Sequence, residues 1–437
     1  MNNILPTDIQ KYLKKHSSTN WNFYSTKDQK YTTVVVIPAI SEFENIKLLV
    51  KSLAENDDTY FDETLFLFVI NNLKSSSKEI KIDNKKSIEY LKQLANKNSA
   101  KINTKLNIDL IDASSNNFEL EEKDGGVGLA RKIGMDLALS LFNYETERQN
   151  IIVCLDADCI VESNYLTTIR NYFNNNTASA GYVNFKHSTV DFPQNEIAII
   201  NYEIFLRYYV LGLKYANSPY AYHSIGSTMI CTAESYVKVQ GMNKRKAAED
   251  FYFMEKLSKI TKIVKIDGTA VFPSSRGSWR VPFGTGQRVN RFLDKIQNEY
   301  LLYSPKSFSI LKYWINAFYS EDILSAGDYL DIAKNIDNSL ANFLIDNNFL
   351  HSWNKIIENS SSNKQIQKQK QLWFDGFKTL KLIHFLRDVE FSTINMFDAL
   401  NQLFSEMEIQ FEYKNFENEI PSIQIQKEYL NKLREIA

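Results

Sequence analysis

The stretch Ile151-Ile-Val-Cys-Leu-Asp-Ala-Asp-Cys-Ile160 constrains the fold more than any other. It opens as an uninterrupted apolar run, the pattern of a strand buried on both faces in a parallel sheet. It closes on two carboxylates, Asp156 and Asp158, with only Ala157 between them. Unpartnered buried carboxylates are costly. Two of them where a buried strand gives out point to a site at the carboxyl edge of an open α/β sheet. Asp-x-Asp there suits Mg²⁺ or Mn²⁺, with phosphate oxygens and water completing the hard oxygen shell. A bare Asp-x-Asp is more often a polar turn, so the weight falls on its surroundings.

Those surroundings read as alternating strands and helices. Tyr31-Thr-Thr-Val-Val-Val-Ile-Pro38 is a β-branched central strand that Pro38 is expected to stop. A helix follows from Glu42, with Ile46, Leu49, Val50 and Leu53 on one face and Ser41 as its cap. Leu65–Ile70 is a second strand ending in Asn71. Strand, helix, strand in that order indicates a parallel α/β unit. The Lys/Ser/Asn-rich stretch Lys74–Lys105 reads as a surface insertion with one helical pattern around Ile88, Leu91 and Leu94. A third strand, Leu106–Asp112, precedes Gly125-Gly-Val-Gly-Leu-Ala-Arg131, a glycine loop opening a helix. Such a loop can admit phosphate or ribose, or serve close helix–sheet packing. Further strands are expected at 179–185 and 261–272, and a buried amphipathic helix at Ile197–Leu213. Glu249-Asp250 opens another helix, where an acidic pair serves either as a cap or as chemistry. Pro273–Arg288 is a basic loop of a length that is more often functional than decorative. Beyond it glycine becomes rare and helical periodicity dominates.

The net charge of −1 argues against a nucleic-acid binder. Cys154, Cys159 and Cys231 lack any C-x-x-C spacing and read as reduced thiols. Met1–Gln10 has no apolar signal-peptide core, and Asn201, Glu203 and Arg207 interrupt the most membrane-like run. A cytoplasmic location follows as the expectation, with peripheral contact at the inner face of the membrane left open.

The ordered set Val34-Val-Val-Ile-Pro-Ala39, Gly128-Leu-Ala-Arg131, Leu155-Asp-Ala-Asp158, Gly226-Ser-Thr-Met-Ile230 and Glu249-Asp250 resembles the family 2 glycosyltransferases of GT-A fold. The resemblance implies an α/β fold with a Rossmann-like mixed, mostly parallel sheet flanked by helices over residues 31–290. An N-terminal extension (1–30) would precede it and a mainly helical region (291–437) would follow. It implies transfer of one sugar from a UDP-, GDP- or dTDP-sugar to a hydroxyl acceptor, a glycan or a lipid-linked one, with Mn²⁺ or Mg²⁺. Pro38 and Ala39 would border the nucleotide, Asn71 (where the family has Asp) would face the base, and Arg131 would lie near ribose or base. Asp156 would approach ribose and metal, and Asp158 would bind the metal. Gly226 would line the sugar pocket, and Glu249-Asp250 would supply the catalytic base, Asp250. Arg276 and Arg280 offer planar guanidinium groups to the diphosphate. His223 and Trp279 are weaker candidates for diphosphate and sugar. Gln287-Arg-Val-Asn-Arg291 only echoes the Gln-x-x-Arg-Trp motif of processive synthases, which favours single-sugar transfer.

Other readings stay open: a retaining transferase of the mannosylglycerate-synthase type, and a non-catalytic sugar-nucleotide-binding module. A nucleotidyltransferase is disfavoured, because Pro38-Ala-Ile-Ser-Glu-Phe43 lacks a basic glycine loop. Acceptor choice is expected to lie in residues 197–222 and the C-terminal helices.

Overall fold

The computed structural model describes residues 5–17, 20–25, 29–96, 105–278, 284–412, 416 and 419–437. The chain begins with α1 (Thr7–His16), β1 (Thr33–Ala39), α2 (Phe43–Ala54), β2 (Thr64–Asn71), α3 (Lys78–Ala95) and β3 (Asn107–Ala113). It continues through α4 (Val127–Ala138), β4 (Ile151–Cys154), β5 (Cys159–Val161), α5 (Tyr165–Asn175), β6 (Ala180–Phe185) and α6 (Glu196–Tyr215). Next come β7 (Met229–Thr232), α7 (Ala233–Lys238), α8 (Glu249–Ser258), β8 (Ile263–Pro273), α9 (Thr285–Leu293) and β9 (Leu301–Leu302). The rest is helical: α10 (Pro305–Phe318), α11 (Ala326–Ile336), α12 (Asn338–Asp346), α13 (Phe349–Glu358), α14 (Asn363–Trp373) and α15 (Gly376–Val389). After the short β10 (Ile394–Asn395) come α16 (Met396–Glu406) and α17 (Ile423–Ile436).

Two compact units result: 1–193 with 224–287, and 194–223 with 288–437. In the first, the strands form one eight-stranded sheet of order β3-β2-β1-β4-β7-β6-β8-β5 among the described residues. From β3 to β4 all pairings are parallel, and β7 then pairs antiparallel with both β4 and β6. This is the mixed, mostly parallel, helix-flanked layout expected.

The strand pattern follows from covering both faces. Val35, Ile37, Phe66 and Phe68 pack in one core with Ile46 and Leu49 of α2, Leu91 of α3 and Ile169 of α5. On the opposite face Gly134 of α4 lets the helix settle on β1 and β2. A Cβ there would lie 2.4 Å from Val36 Cγ1 and 2.9 Å from Val69 Cγ2. With neither face wet, these strands have no polar alternation.

Four expectations are corrected. β1 runs through Pro38 to Ala39, paired with β2 throughout; its pairing with β4 ends at Val36–Cys154, so on that side the missing N–H has no partner strand to serve. Ser41 does not cap α2: it sits in the left-handed region (φ 54°), its N–H donates to Asn84 Oδ1, and the N-cap residue is Glu42. The Lys74–Lys105 stretch is no mere insertion. Within it α3 buries Ile88, Leu91 and Leu94 as the crossover between β2 and β3. Residues 97–104 lie outside the described residues. The Ile197–Leu213 helix, placed by sequence among residues 31–290, belongs as α6 to the helical unit.

In the helical unit α6 packs its Ile204, Tyr208 and Leu211 with Phe308 and Trp314 of α10 and Leu433 of α17. Gly212 permits the approach, since a Cβ there would meet Phe308 within 2.6 Å. The N-terminal extension is not loose either. Tyr12 of α1 donates to Asp136 of α4 at 2.8 Å, Tyr236 donates to the same oxygen at 2.6 Å, and Lys132 closes the buried cluster.

Candidate active site

The order β3-β2-β1-β4 means the chain winds outward from β1, then returns to its other side. The crevice between the carboxyl ends of β1 and β4 is therefore the topological switch point, where open α/β sheets take their ligands. Pro38 and Ala39 end one strand. Asp156 and Asp158 follow the other, in a tight turn closed by Cys159 N–H to Asp156 O (3.2 Å).

Arg131 of α4 organises the crevice. It is 2 % exposed, and its two terminal nitrogens reach in different directions: Nη1 to Glu249 at the start of α8, Nη2 to Asp156. Burial works against its charge, but Asp156 and Glu249 outweigh that and hold the guanidinium above its ordinary pKa. Gly226 forms its seat. A Cβ on Gly226 would lie 2.3 Å from Arg131 Nη2. Gly226→Ala is therefore expected to push the guanidinium off its partners and cost about 1–3 kcal/mol, the usual size of overpacking. Urea denaturation beside wild type measures it; an unchanged midpoint would remove Gly226 from this role.

Glu249 and Asp250 are adjacent but differ in surroundings. Glu249 is 4 % exposed and held by Arg131. Asp250 is recessed yet partly exposed, and accepts the N–H of Phe251 at 2.7 Å. Desolvation, then the charge of Glu249, pushes its carboxyl up to about 7. The turn into α8 is strained: Ala248 is a non-glycine residue at φ 58°. Gly128 makes room for this turn, its α-carbon facing Arg245 O and Glu249.

Across the crevice, Asp158 is 31 % exposed and lies 3.9 Å from Arg276 Nη2. Arg276 also donates to the buried Glu42 at 2.5 Å, and Asn45 donates to the other Glu42 oxygen. Desolvation opposes the Arg276 charge, and the Glu42 bond and charge more than restore it.

The site thus brings together Arg131, Asp156, Gly226 and Glu249-Asp250, with Asp158 and Arg276 close beside each other, while Pro38 and Ala39 end the neighbouring strand β1. No protein-family profile matches the chain, and no curated protein does. Among the solved structures remotely similar to the chain are two glycosyltransferases. One is TarS from S. aureus (its residues 1–349, in complex with UDP-GlcNAc), 15 % identical over 78 % of this chain and 90 % of that one, TM-score 0.40. The other is the mannosyltransferase PcManGT from Pyrobaculum calidifontis, in complex with GDP-Man and Mn²⁺. It is 13 % identical over 87 % of this chain and 93 % of that one, TM-score 0.37. The reading of the site rests on its own residues.

The other sequence candidates have different surroundings. Asn71 is 5 % exposed and its amide nitrogen donates to Ala39 O (3.0 Å) and Val69 O (3.3 Å), tying strand ends together. Facing a base would require it to leave those bonds. Trp279 and Arg280 lie outside the described residues. His223 is buried within the helical unit's share of the chain. Arg288 and Arg291 both pair with the buried Glu299, at 2.8 and 2.7 Å, so the echo of the Gln-x-x-Arg-Trp motif is a structural ion pair. Sequence reasoning missed Glu42, whose signal was a charged residue directly after the β1 turn. It also missed Lys244-Arg-Lys246, exposed and resting on the Gly126–Gly128 backbone just ahead of Asp250.

For a cation, the described residues contain no group of three or more His, Cys, Asp or Glu able to enclose one. They do present the partly exposed Asp158 and an Asp156 whose ion pair with Arg131 uses one oxygen. That donor set fits a Mg²⁺ or Mn²⁺ shared with substrate phosphates and water, rather than an all-protein cage. No helix of the described residues is long and apolar enough to cross a membrane.

Proposed function

We propose that this chain is a metal-dependent inverting glycosyltransferase that moves one sugar from a nucleoside-diphosphate sugar to a hydroxyl acceptor. One observation carries the reading. A single buried guanidinium, Arg131, joins the Asp156 strand end to the Glu249–Asp250 helix start, and solvent still reaches Asp158 and Asp250.

The roles follow from those surroundings. Glu249 is occupied by Arg131, which leaves Asp250 as the carboxylate open to an acceptor. A base works best with a pKa near the operating pH, and a carboxyl at about 7 meets that condition. As the acceptor oxygen bonds to the anomeric carbon, its proton passes to Asp250. The bond from that carbon to the diphosphate breaks, and its electron pair leaves with the diphosphate. Asp158 and Asp156 would hold the cation, which when bound supplies Lewis-acid compensation of that charge. Arg276, kept in place by Glu42, offers a second positive group beside Asp158.

The test is transfer and slow hydrolysis with a panel of UDP-, GDP- and dTDP-sugars and Mn²⁺, the product's anomeric configuration being read by NMR. Inversion and loss of turnover in Asp158→Ala are expected. Equal metal-independent donor turnover by wild type and Asp158→Ala would overturn the assignment, and a retained anomer would overturn the inverting step.

A further inference from the structure

The helical unit contains a cavity of about 540 Å³ between α13 and α14, remote in sequence from every residue used above. Its wall includes His351, Lys355, Asn359, Gln365, Gln369 and Trp373. The loop Ser360-Ser-Ser-Asn-Lys364 between the two helices forms part of its rim at Ser360.

We propose that this groove binds a neutral oligosaccharide. The lining chemistry selects the ligand class. None of the described lining residues is Asp or Glu, which disfavours a metal ion or a basic peptide. Lys355 with His351 is too small a basic set for a nucleic-acid backbone. Ile356 and Leu372 are too little apolar surface for a lipid chain. What remains is polar and uncharged: Asn359, whose Nδ2 donates to Lys355 O while its Oδ1 is left to accept, Gln365, whose Oε1 is taken by Ser361, and Gln369, with the hydroxyls of Ser352 and Ser360, beside an indole. A sugar chain presents the complement: vicinal hydroxyls at its rim and apolar C–H faces that pack on an aromatic ring.

The wall is built rather than loose. Both the N–H and the hydroxyl of Ser361 donate to Gln365 Oε1, at 3.0 and 3.1 Å, which fixes the turn into α14. Trp373 packs edge-to-face with Phe349, ring centroids 4.9 Å apart, and Lys378 lies 4.7 Å over its ring. The volume lies within the ordinary range of small-ligand sites, roughly 300–1,000 Å³.

The experiment uses the full chain with maltohexaose, cellohexaose, chitohexaose and mannohexaose, read by saturation-transfer NMR and tryptophan fluorescence. At least one is expected to bind with a Kd of about 1 mM or tighter. Gln369→Ala, a change at the groove surface, is expected to weaken it about fivefold, the worth of one hydrogen bond. Ser352→Trp, which fills the groove, is expected to abolish it, and Asp158→Ala to leave it unchanged. Absence of binding for all four sugars at about 10 mM would overturn the proposal. So would binding that survives Ser352→Trp and Gln369→Ala but is lost in Asp158→Ala. Because Asp158→Ala separates the two sites, the groove stands or falls independently of the transferase reading.

Discussion

Asp250→Asn is expected to lower sugar transfer by about 10²- to 10⁴-fold, the usual contribution of a positioned general base. The amide keeps the shape and still accepts from Phe251 N–H, so the loss should fall on turnover rather than on donor binding. The pH dependence gives an independent check. In wild type the carboxyl must be ionised to accept a proton, and desolvation followed by the Glu249 charge pushes it up to about 7. Turnover with saturating donor should therefore rise with pH through a midpoint near that value. Stability runs the other way. The folded pKa is raised above the ordinary 3.8, so the folded state holds this proton more tightly than the unfolded chain. The stabilisation is fully present below the unfolded value and is lost as pH rises through the folded one. Asp250→Asn removes the desolvated charge and should be more stable than wild type near pH 8 by about 1–2 kcal/mol, discounted for solvent access, with no gain near pH 4. Urea midpoints at the two pH values measure this. Full transfer activity in Asp250→Asn would sink the base assignment, whatever the stability data show.

The parts of this site that were legible in the sequence are those carried by local pattern. Uninterrupted apolar runs marked β1, β2 and β4 because both their faces are covered, and Asp156-Ala-Asp158 stood out where one of them ends. The Glu249-Asp250 helix start was visible, but which carboxylate is open was not. That choice depends on Arg131, whose side chain arrives from 118 residues away. The Glu42–Arg276 pair spans 234 residues and leaves no local trace. The resemblance set Asn71 at the base; in the structure its amide nitrogen donates to Ala39 O at the end of β1, a contact that no local pattern shows. Composition misled at Lys74–Lys105: the exposed lysines of α3 suggested a surface insertion, although the Ile88, Leu91 and Leu94 pattern legible there is the buried face of the crossover between β2 and β3. The periodicity of α6 identified an apolar face correctly. Periodicity says nothing about which partners cover it, and those come from α10 and α17.

Glu203→Ala should be among the most destabilising single changes in the helical unit, by about 3–5 kcal/mol. Glu203 of α6 is 1 % exposed. It accepts from Arg207 Nε one turn on (2.9 Å) and from Arg434 of α17 at both oxygens (2.8 and 3.1 Å). Arg207 is wholly buried, so deleting the carboxylate removes the partner of its Nε where water cannot take its place. Glu203→Gln keeps the shape and an acceptor but loses the charge, and should cost less than the alanine change. Replacing both members tests whether the pair itself stabilises. Burying two charges costs several kcal/mol per ion, so an apolar pair of similar volume often does as well. Glu203→Leu combined with Arg207→Leu should therefore recover most of the loss seen in Glu203→Ala. Trp314, Trp353 and Trp373 all lie in this unit, so tryptophan fluorescence during urea unfolding reports on it. A Glu203→Ala midpoint equal to wild type would mean that the arginines find other partners. A double variant as unstable as the single one would mean that the ion pair specifies how α6 and α17 pack, rather than only compensating its own charges.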